Sequence, residues 1–375
     1  MEGYGYPAQK KEKRCYEIMH ADRLVARVDL AGKAQVLSWQ YMPFDLYLEE
    51  ETDIDARLNN LENFYHWCAS RMLTLDRTYA KEILNSIGVP QAVTDRERAQ
   101  VVLSYHAVSL MDVYWVRPMG EACSFAAVNL YDNSLSKAVI PISLRGKQMT
   151  ATNQELAQDL STAGCFPKAW IREKDGFWLL KDGDADAVQR ELAASAICRC
   201  FDIPQVEYEE AFYDGEPVTR SRLVTSRRYS LVTKMAFDIY AVNHDLNTLE
   251  ICQRLDPVGY YGMNILDYLT GNTDRHPENW GFLVDNETNQ AVSLYPLMDF
   301  NRAFFSYDTL EGANCLTVLP AKQTQREAAI EAVRRIGLRQ KCEPDPSLFG
   351  VRGDWAEMFE RRLRELKKQE SGTAF

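Results

Sequence analysis

The sequence has no long hydrophobic run, and this absence argues against a membrane-spanning protein. No stretch approaches the roughly 20 apolar residues that a transmembrane helix needs. The first residues, MEGYGYPAQKKEKR, are polar and have no apolar run behind their charges, so they do not read as a secretory signal. We therefore expect a soluble, cytoplasmic protein with no membrane partner.

Cysteine pairs with the spacing of metal or disulfide sites are also missing. The nine cysteines are scattered, and the closest two, Cys198 and Cys200, do not form a CxxC motif. This pattern predicts neither a zinc site nor a disulfide framework. Reduced thiols agree with a cytoplasmic location.

Excess positive charge is lacking as well, since the formal net charge is −11. Proteins that bind a nucleic-acid backbone neutralise its phosphates with Lys and Arg, so direct binding of nucleic acid is not expected. The absence of a basic helix also disfavours a DNA-binding antitoxin. A short arginine-rich segment is interpreted as a solvated loop with scattered countercharges; it contains Arg220, Arg222, Arg227 and Arg228.

What is present predicts two structural units that divide near residue 148. Alternating apolar residues predict strands within 22–50, and apolar residues at helical spacing predict helices within 55–110. Residues 1–147 are therefore an α/β region of unassigned role. The second unit runs from strands to helices, with a strand-rich lobe at about 148–225 and a helix-rich lobe at about 226–375.

The richest group of polar side chains follows a predicted helix that Gly271 ends. Asp274, His276 and Asn279 stand in one short loop, and such a group is costly to bury without a purpose. A predicted hairpin at 280–298 follows. Because Asn279 and Asp299 are equidistant from Asn289 in its turn, we expect them to meet at its open end. Amide and carboxylate oxygens gathered in this way suit Mg²⁺.

The spacing D-x-x-x-x-N from Asp274 to Asn279 is that of the protein-kinase catalytic loop, in which the Asp takes a hydroxyl proton and the Asn holds a metal. Asp299 then stands where the metal-binding Asp of the DFG element belongs, although the sequence here is DFN. Upstream, Lys181 ends an apolar run and Glu191 lies in the next predicted helix. This is the order of the lysine that binds phosphate and the glutamate that holds it.

A loop that covers phosphates is expected before Lys181. The segment from Ser161 to Lys168, STAGCFPK, contains one glycine, Gly164, so it is neither a G-x-G-x-x-G nor a Walker A loop. Its small residues can still turn backbone N–H groups toward a phosphate.

The segments GNTDRHPEN and YPLMD resemble the C-terminal domain of HipA-like Ser/Thr kinases, as do STAGCFPK and VQRELAA. The resemblance covers about residues 148–310. It implies an α+β fold of the two-lobed protein-kinase type, preceded by a mixed N-terminal region, with residues 148–375 forming the kinase domain. It also implies ATP and Mg²⁺ as cofactors, a protein substrate with a Ser or Thr acceptor, and an antitoxin or regulatory partner.

The resemblance further implies roles for single residues. Asp274 would be the catalytic base, Asn279 and Asp299 would hold Mg²⁺, and Lys181 would bind the phosphates of ATP. His276 would support the loop. In the phosphate loop, Ser161 would be the residue that the enzyme phosphorylates to silence itself, with Thr162 as an alternative acceptor. We expect the adenine to lie near Val224.

Two other functions remain open at this stage. A small-molecule or lipid kinase shares the two-lobed fold, and the sequence contains no signature of the acceptor, so the choice of Ser or Thr rests on family analogy. A catalytically inactive kinase-like scaffold is the second alternative. The five catalytic positions all carry competent residue types, which argues against it.

Overall fold

The computed structural model describes residues 15–51, 53–72, 83, 93–133, 167–183, 185–305, 309–345 and 353–372. Within these ranges the strands are β1 (Cys15–His20), β2 (Arg23–Asp29), β3 (Ala34–Val36), β4 (Tyr114–Pro118), β5 (Lys168–Glu173), β6 (Gly176–Lys181), β7 (Tyr208–Tyr213), β8 (Glu216–Arg222), β9 (Tyr229–Thr233), β10 (Gly281–Asp285) and β11 (Gln290–Leu294). The helices are α1 (Ile54–Ser70), α2 (Asp95–Leu103), α3 (Phe125–Val128), α4 (Ala185–Cys198), α5 (Lys234–Asn243), α6 (Thr248–Leu255), α7 (Pro257–Thr270), α8 (Gln325–Ile336) and α9 (Gly353–Gly372). Short 3-10 turns lie at Trp39–Tyr41 and Leu316–Val318. In this part of the chain no helix has the length and apolar character needed to span a bilayer.

The N-terminal region is built on an antiparallel sheet in the order β3-β2-β1-β4. The predicted strands within 22–50 are confirmed by β2 and β3, whereas β1 was not predicted. The last of the helices expected within 55–110 ends at Leu103, short of the predicted limit. It ends early because His106 and Ala107 have φ values of 60° and 54°, which a right-handed helix cannot continue.

The second sheet, in the order β5-β6-β8-β7, carries the strands of the predicted strand-rich lobe. Lys174 and Asp175 form a two-residue turn, because Glu173 pairs with Gly176 at the end of the β5–β6 ladder. Helix α4 follows, carries Glu191 as predicted, and contacts β7 and β8. This order places the end of β6 and the buried face of α4 next to each other.

The third sheet, in the order β11-β10-β9, packs with the buried helix α7 in the largest apolar core. Asp256 caps α7 by accepting from the Gly259 N–H at 2.8 Å, and its other oxygen accepts from the Leu294 N–H at 3.0 Å. One carboxylate therefore joins the start of the helix to β11. The helix ends where predicted, because Gly271 adopts the left-handed conformation with φ 62°.

The hairpin of β10 and β11 is confirmed, but the register expected from its midpoint is wrong. Asp285 pairs with Gln290, and a bulge follows between Leu283 and Val284. Beyond Tyr295 the chain leaves the hairpin, since Leu297 forms a parallel bridge with Gln205. Asn279 and Asp299 are therefore not cross-strand partners, and other contacts must bring their backbones together.

The N-terminal region is joined to the rest of the chain at the tip of this hairpin. Asn289 donates to the carbonyls of Gln40 and Met42 at 2.9 and 3.1 Å, and its Oδ1 accepts from the Tyr114 hydroxyl at 3.1 Å. A second link lies at the end of the second sheet, where Thr225 Oγ1 donates to the Leu110 carbonyl at 2.5 Å. The region thus holds both the hairpin turn and the segment after β8.

Because His20 is buried in the N-terminal core, we expect the stability of the protein to depend on pH. Its ring lies between Tyr41 and Tyr114, it is 3% exposed, and its buried Nε2 has no hydrogen-bond partner among the described residues. Burial, with a smaller opposing effect of Asp112, lowers the pKa of His20 to about 4. Between pH 4 and the ordinary His value of about 6.5, the unfolded chain therefore binds a proton that the folded chain does not.

We expect the free energy of unfolding to fall by about 2 kcal/mol between pH 7 and pH 5 through His20 alone. His20→Phe removes the group while keeping an aromatic ring, so the variant should lose correspondingly less over the same interval. Urea unfolding at both pH values measures the difference. His66→Gln, which removes a partly exposed histidine of α1, is the control and should keep the wild-type slope.

Candidate active site

The centre of the candidate site is Lys181, the last residue of β6. Its Nζ donates to Glu191 Oε1 at 2.9 Å and to Asp299 Oδ1 at 2.7 Å. The lysine is 6% exposed and lies between two acids that are far from each other in the sequence. Burial would lower the pKa of Lys181, but the charges of Asp299 and Glu191 outweigh burial and raise it above the ordinary value. The ammonium is therefore a fixed positive charge.

Glu191 projects from α4 toward the end of β6, as the predicted order of residues requires. Its second oxygen, Oε2, accepts from the Thr219 hydroxyl of β8 at 2.7 Å. Both carboxylate oxygens of this buried side chain are thus bonded, which fixes its rotamer. Glu191 can hold Lys181 in one position because it is itself held by the neighbouring strand.

Asp299 has a strained backbone, with φ 61°, in a conformation that non-glycine residues rarely adopt. The Tyr208 hydroxyl accepts a hydrogen bond from the Asp299 N–H at 3.0 Å. Burial would raise the pKa of Asp299, but the positive charges of Lys181 and Lys168 outweigh it and lower the pKa to about 2. The carboxylate is therefore ionised at any physiological pH. Backbone strain like that of Asp299 is typical of functional sites.

The loop after α7 presents Asp274 and Asn279. Asn279 Nδ2 donates to the backbone carbonyl of Asp274 at 2.7 Å. Within the described residues, Asn279 Oδ1 accepts no hydrogen bond, and neither does the half-buried carboxylate of Asp274. The amide group is thus oriented by its nitrogen and keeps its oxygen for another ligand.

Arg275 joins this loop to the segment before Asp299. Its guanidinium forms two hydrogen bonds with Asp267 of α7, both at 2.9 Å. Its Nη1 donates to the backbone carbonyls of Asn279, at 2.9 Å, and Met298. The side chain of Arg275 therefore brings the backbones of Asn279 and Met298 together. The cross-strand pairing that was predicted to do this is not formed. Asn272 adds a weaker link, from its Nδ2 to the Asp299 carbonyl at 3.4 Å.

The other predicted site residues fall into three groups. Lys168 pairs with Lys181 across the β5–β6 ladder, and its positive charge helps to lower the pKa of Asp299. It therefore lies at the site. Val224 packs against the large core after β8, and the imidazole of His276 accepts from the Glu278 N–H at 3.3 Å within the loop. Ser161 and Gly164 of the predicted phosphate loop, like Thr162, lie outside the described residues.

Four residues with structural roles at the site were not predicted: Asp267, Arg275, Thr219 and Tyr208. Of these four, only Asp267 could have been identified from the sequence. Asp267 interrupts the apolar run from Ile265 to Leu269, and an acid within a buried helix needs a partner. Thr219 and Tyr208 have no such signal, because their contacts with Glu191 and Asp299 depend on how β7 and β8 pair.

Breaking the pair of Asp267 and Arg275 should destabilise the whole lobe. Arg275→Met leaves a carboxylate that is 4% exposed without its partner, so we expect a loss of about 3–5 kcal/mol in the free energy of unfolding, measured with urea. Arg220→Met, which breaks an exposed pair with Glu209, is the control and should cost about 1 kcal/mol or less. Equal losses in both variants would show that the buried pair contributes no more to the free energy of unfolding than the exposed pair.

No protein-family model and no curated protein sequence matches this chain. Among solved structures, HipA of Shewanella oneidensis MR-1, in a complex with HipB and its operator DNA, matches 96% of this chain and 90% of its own at 13% identity and a TM-score of 0.54. The proinflammatory kinase CtkA of Helicobacter pylori matches 56% of this chain and 89% of its own at 16% identity and a TM-score of 0.41.

The match to HipA extends over nearly the whole chain, including the N-terminal region. It shows that the chain has a HipA-like kinase fold of the α+β class. The fold predicted from the motifs is thereby confirmed. At 13% identity the likeness concerns the fold alone, so the chemistry has to be argued from the side chains described above.

Proposed function

We propose that this protein is an ATP-dependent protein kinase of the HipA-like type, which transfers the γ-phosphoryl group of ATP to a Ser or Thr hydroxyl. The observation that carries the proposal is the buried ammonium of Lys181 between Glu191 and Asp299. Kinases use such a lysine to bind phosphate oxygens, the glutamate to hold it, and the aspartate to hold a metal ion.

The residues present fit a magnesium ion. Asp299 supplies an ionised carboxylate, and Asn279 supplies an amide oxygen that accepts no hydrogen bond in the described part of the chain. Mg²⁺ prefers such hard oxygen ligands and usually takes one or two carboxylates together with the phosphates of a substrate. When bound, the ion would neutralise charge on the transferring phosphates. Asn279 and Asp299 are the residues that would hold it.

The remaining steps belong to this chain's own side chains. Lys181 binds phosphate oxygens through a charge that Glu191 keeps in place. Asp274 orients the acceptor hydroxyl and takes its proton as the oxygen–phosphorus bond forms and the bond to the leaving ADP oxygen breaks. Its carboxylate is suited to this role because no hydrogen bond within the described residues occupies it. Lys168 adds a second positive charge near Asp299.

The finer assignments rest on the same proposal. We assign residues 148–375 to the kinase domain, with lobes of about 148–225 and 226–375, and residues 1–147 to a separate region that contacts the hairpin tip at Asn289. Val224 and the residues beside it are the proposed contact for the adenine. Ser161 is the proposed site of self-phosphorylation, an antitoxin or regulator is the proposed partner, and the cytoplasm is the proposed location.

Intact-mass spectrometry tests this function on the purified full-length chain. After incubation with ATP and Mg²⁺, we expect a mass gain of one phosphoryl group, which peptide mapping should locate at Ser161 or Thr162. The same enzyme, incubated with labelled ATP and a cell extract, should transfer label to protein. Label in small molecules alone would favour a small-molecule kinase, and thermal stabilisation by ATP without any transfer would favour an inactive scaffold.

A further inference from the structure

Three potential metal ligands meet in the N-terminal region, away from the candidate active site. They are the imidazole of His106, the carboxylate of Glu121 and the thiol of Cys123, and their donor atoms lie within 4.8 Å of one another. The spacing of cysteines along the sequence does not indicate this group, because β4 separates His106 from Glu121 and Cys123 in the sequence. Only the folding of two loops over that strand brings the three side chains together.

The separations fit a small tetrahedral site. Zinc binds nitrogen and oxygen at about 2.0–2.1 Å and sulfur at about 2.3 Å, so two ligands of one ion lie about 3.3–3.7 Å apart. His106 Nε2 and Glu121 Oε1 are already 3.7 Å apart. Cys123 requires no more than a small side-chain rotation, since the sulfur is within 4.8 Å of both.

His106 is held in the orientation that a ligand needs. Its Nδ1 donates to the Val116 carbonyl at 3.1 Å, which fixes the tautomer in which Nε2 carries a lone pair facing the other two ligands. The ring also packs edge-on against Trp115 at 6.1 Å between centroids. A metal-binding histidine characteristically donates its other N–H to a carbonyl or carboxylate in this way.

The backbone on both sides of the group is unusual. His106 and Ala107 have φ values of 60° and 54°, and Gly120 has a φ of 88°. For the two non-glycine residues this conformation is costly, and strain of this kind is common at sites that bind ligands.

The charges nearby leave room for a cation. Arg117 lies close by, but its Nε is already paired with Glu17 at 2.8 Å. Its Nη1 donates to the Cys123 carbonyl at 2.6 Å, so the arginine positions the backbone of one ligand. Glu121 with a Cys123 thiolate would supply two negative charges, which match a divalent ion.

We propose that His106, Glu121 and Cys123 form a binding site for Zn²⁺ or a similar borderline-soft divalent ion. On binding, the thiol of Cys123 loses its proton to solvent and the sulfur bonds to the metal. The thiolate selects against Mg²⁺ and Ca²⁺, which prefer oxygen. Three protein ligands leave a fourth position for water or another donor. The ion would tie the turn after α2 to the loop between β4 and α3.

Titration of the purified full-length chain with Co²⁺, followed by displacement with Zn²⁺, tests the site. We expect a thiolate-to-cobalt charge-transfer band that saturates near one equivalent and disappears when Zn²⁺ is added. Cys123→Ser should abolish the band, and His106→Gln and Glu121→Gln should weaken binding at least tenfold. Glu121 is partly exposed, so its variant should fold normally, and circular dichroism checks this for all three.

Cys342→Ser is the matched control, because Cys342 is exposed and belongs to the other end of the chain. The control should keep the band at full strength. No band in the wild type, a band that survives in Cys123→Ser, or a band lost only in Cys342→Ser would each overturn the proposal. Cobalt bound at Asn279 and Asp299 would give no thiolate band, so failure of the kinase proposal does not affect this result.

Discussion

Asp299→Asn should reduce phosphoryl transfer by about 10³-fold or more while the protein stays folded. The substitution removes a carboxylate whose pKa of about 2 keeps it ionised, and with it a hard oxygen ligand for a divalent ion. Losing such a ligand should cost at least as much as losing a general base, which costs about 10²–10⁴-fold. Self-phosphorylation measured by intact mass, or label transfer from ATP, gives the rate.

The structural consequence of this variant is limited. Lys181 keeps Glu191 as a charged partner, and Glu191 keeps Thr219, so the lysine remains in place. Circular dichroism should therefore be unchanged. Asp238→Asn is a matched control, since it removes a partly exposed carboxylate paired with Lys234 on α5. Wild-type transfer in Asp299→Asn would refute the metal assignment, and an equal loss in Asp238→Asn would show that the effect is not specific to the site.

Asp274→Asn should lower the rate of transfer by about 10²–10⁴-fold, the usual effect of removing a general base. The half-buried carboxylate makes no hydrogen bond within the described residues, so its replacement by an amide should leave the thermal midpoint unchanged. A drop in kcat with little change in the KM for ATP is expected, because the base acts on the acceptor hydroxyl.

Glu278→Gln provides the control in the same loop. Its side chain is 53% exposed, and its backbone N–H donates to His276 at 3.3 Å, a bond that the substitution keeps. Transfer by this variant should stay within about twofold of wild type. If both variants lost activity equally, the loop as a whole would matter and Asp274 would have no distinct role.

Several parts of this fold could be predicted because they depend on short-range rules. Gly271 ends α7 since only glycine enters the left-handed conformation without cost. The two-residue turn at Lys174 and Asp175 is followed by Gly176, a composition that by itself favours a hairpin. The order of Lys181 and Glu191 was readable too, because a strand followed by a helix sets their relative place.

Other parts could not be predicted, because they depend on contacts between distant segments. The predicted register of the β10–β11 hairpin was wrong. A bulge between Leu283 and Val284 shifts the pairing, and no neighbouring residue in the sequence indicates this bulge. The premature end of α2 likewise follows from the positive φ of His106, which the apolar spacing of its neighbours does not reveal.

The sequence alone determined the types and the order of the residues that we propose to be catalytic, since motif spacing is a property of the chain itself. It could not determine how they meet. Arg275, bonded to Asp267, joins the backbones of Asn279 and Met298. The ion pair of Lys181 with Asp299 joins residues 118 positions apart. Such contacts arise only when sheets and helices pack. The low dielectric of the packed interior then makes ion pairs and hydrogen bonds strong enough to position a site.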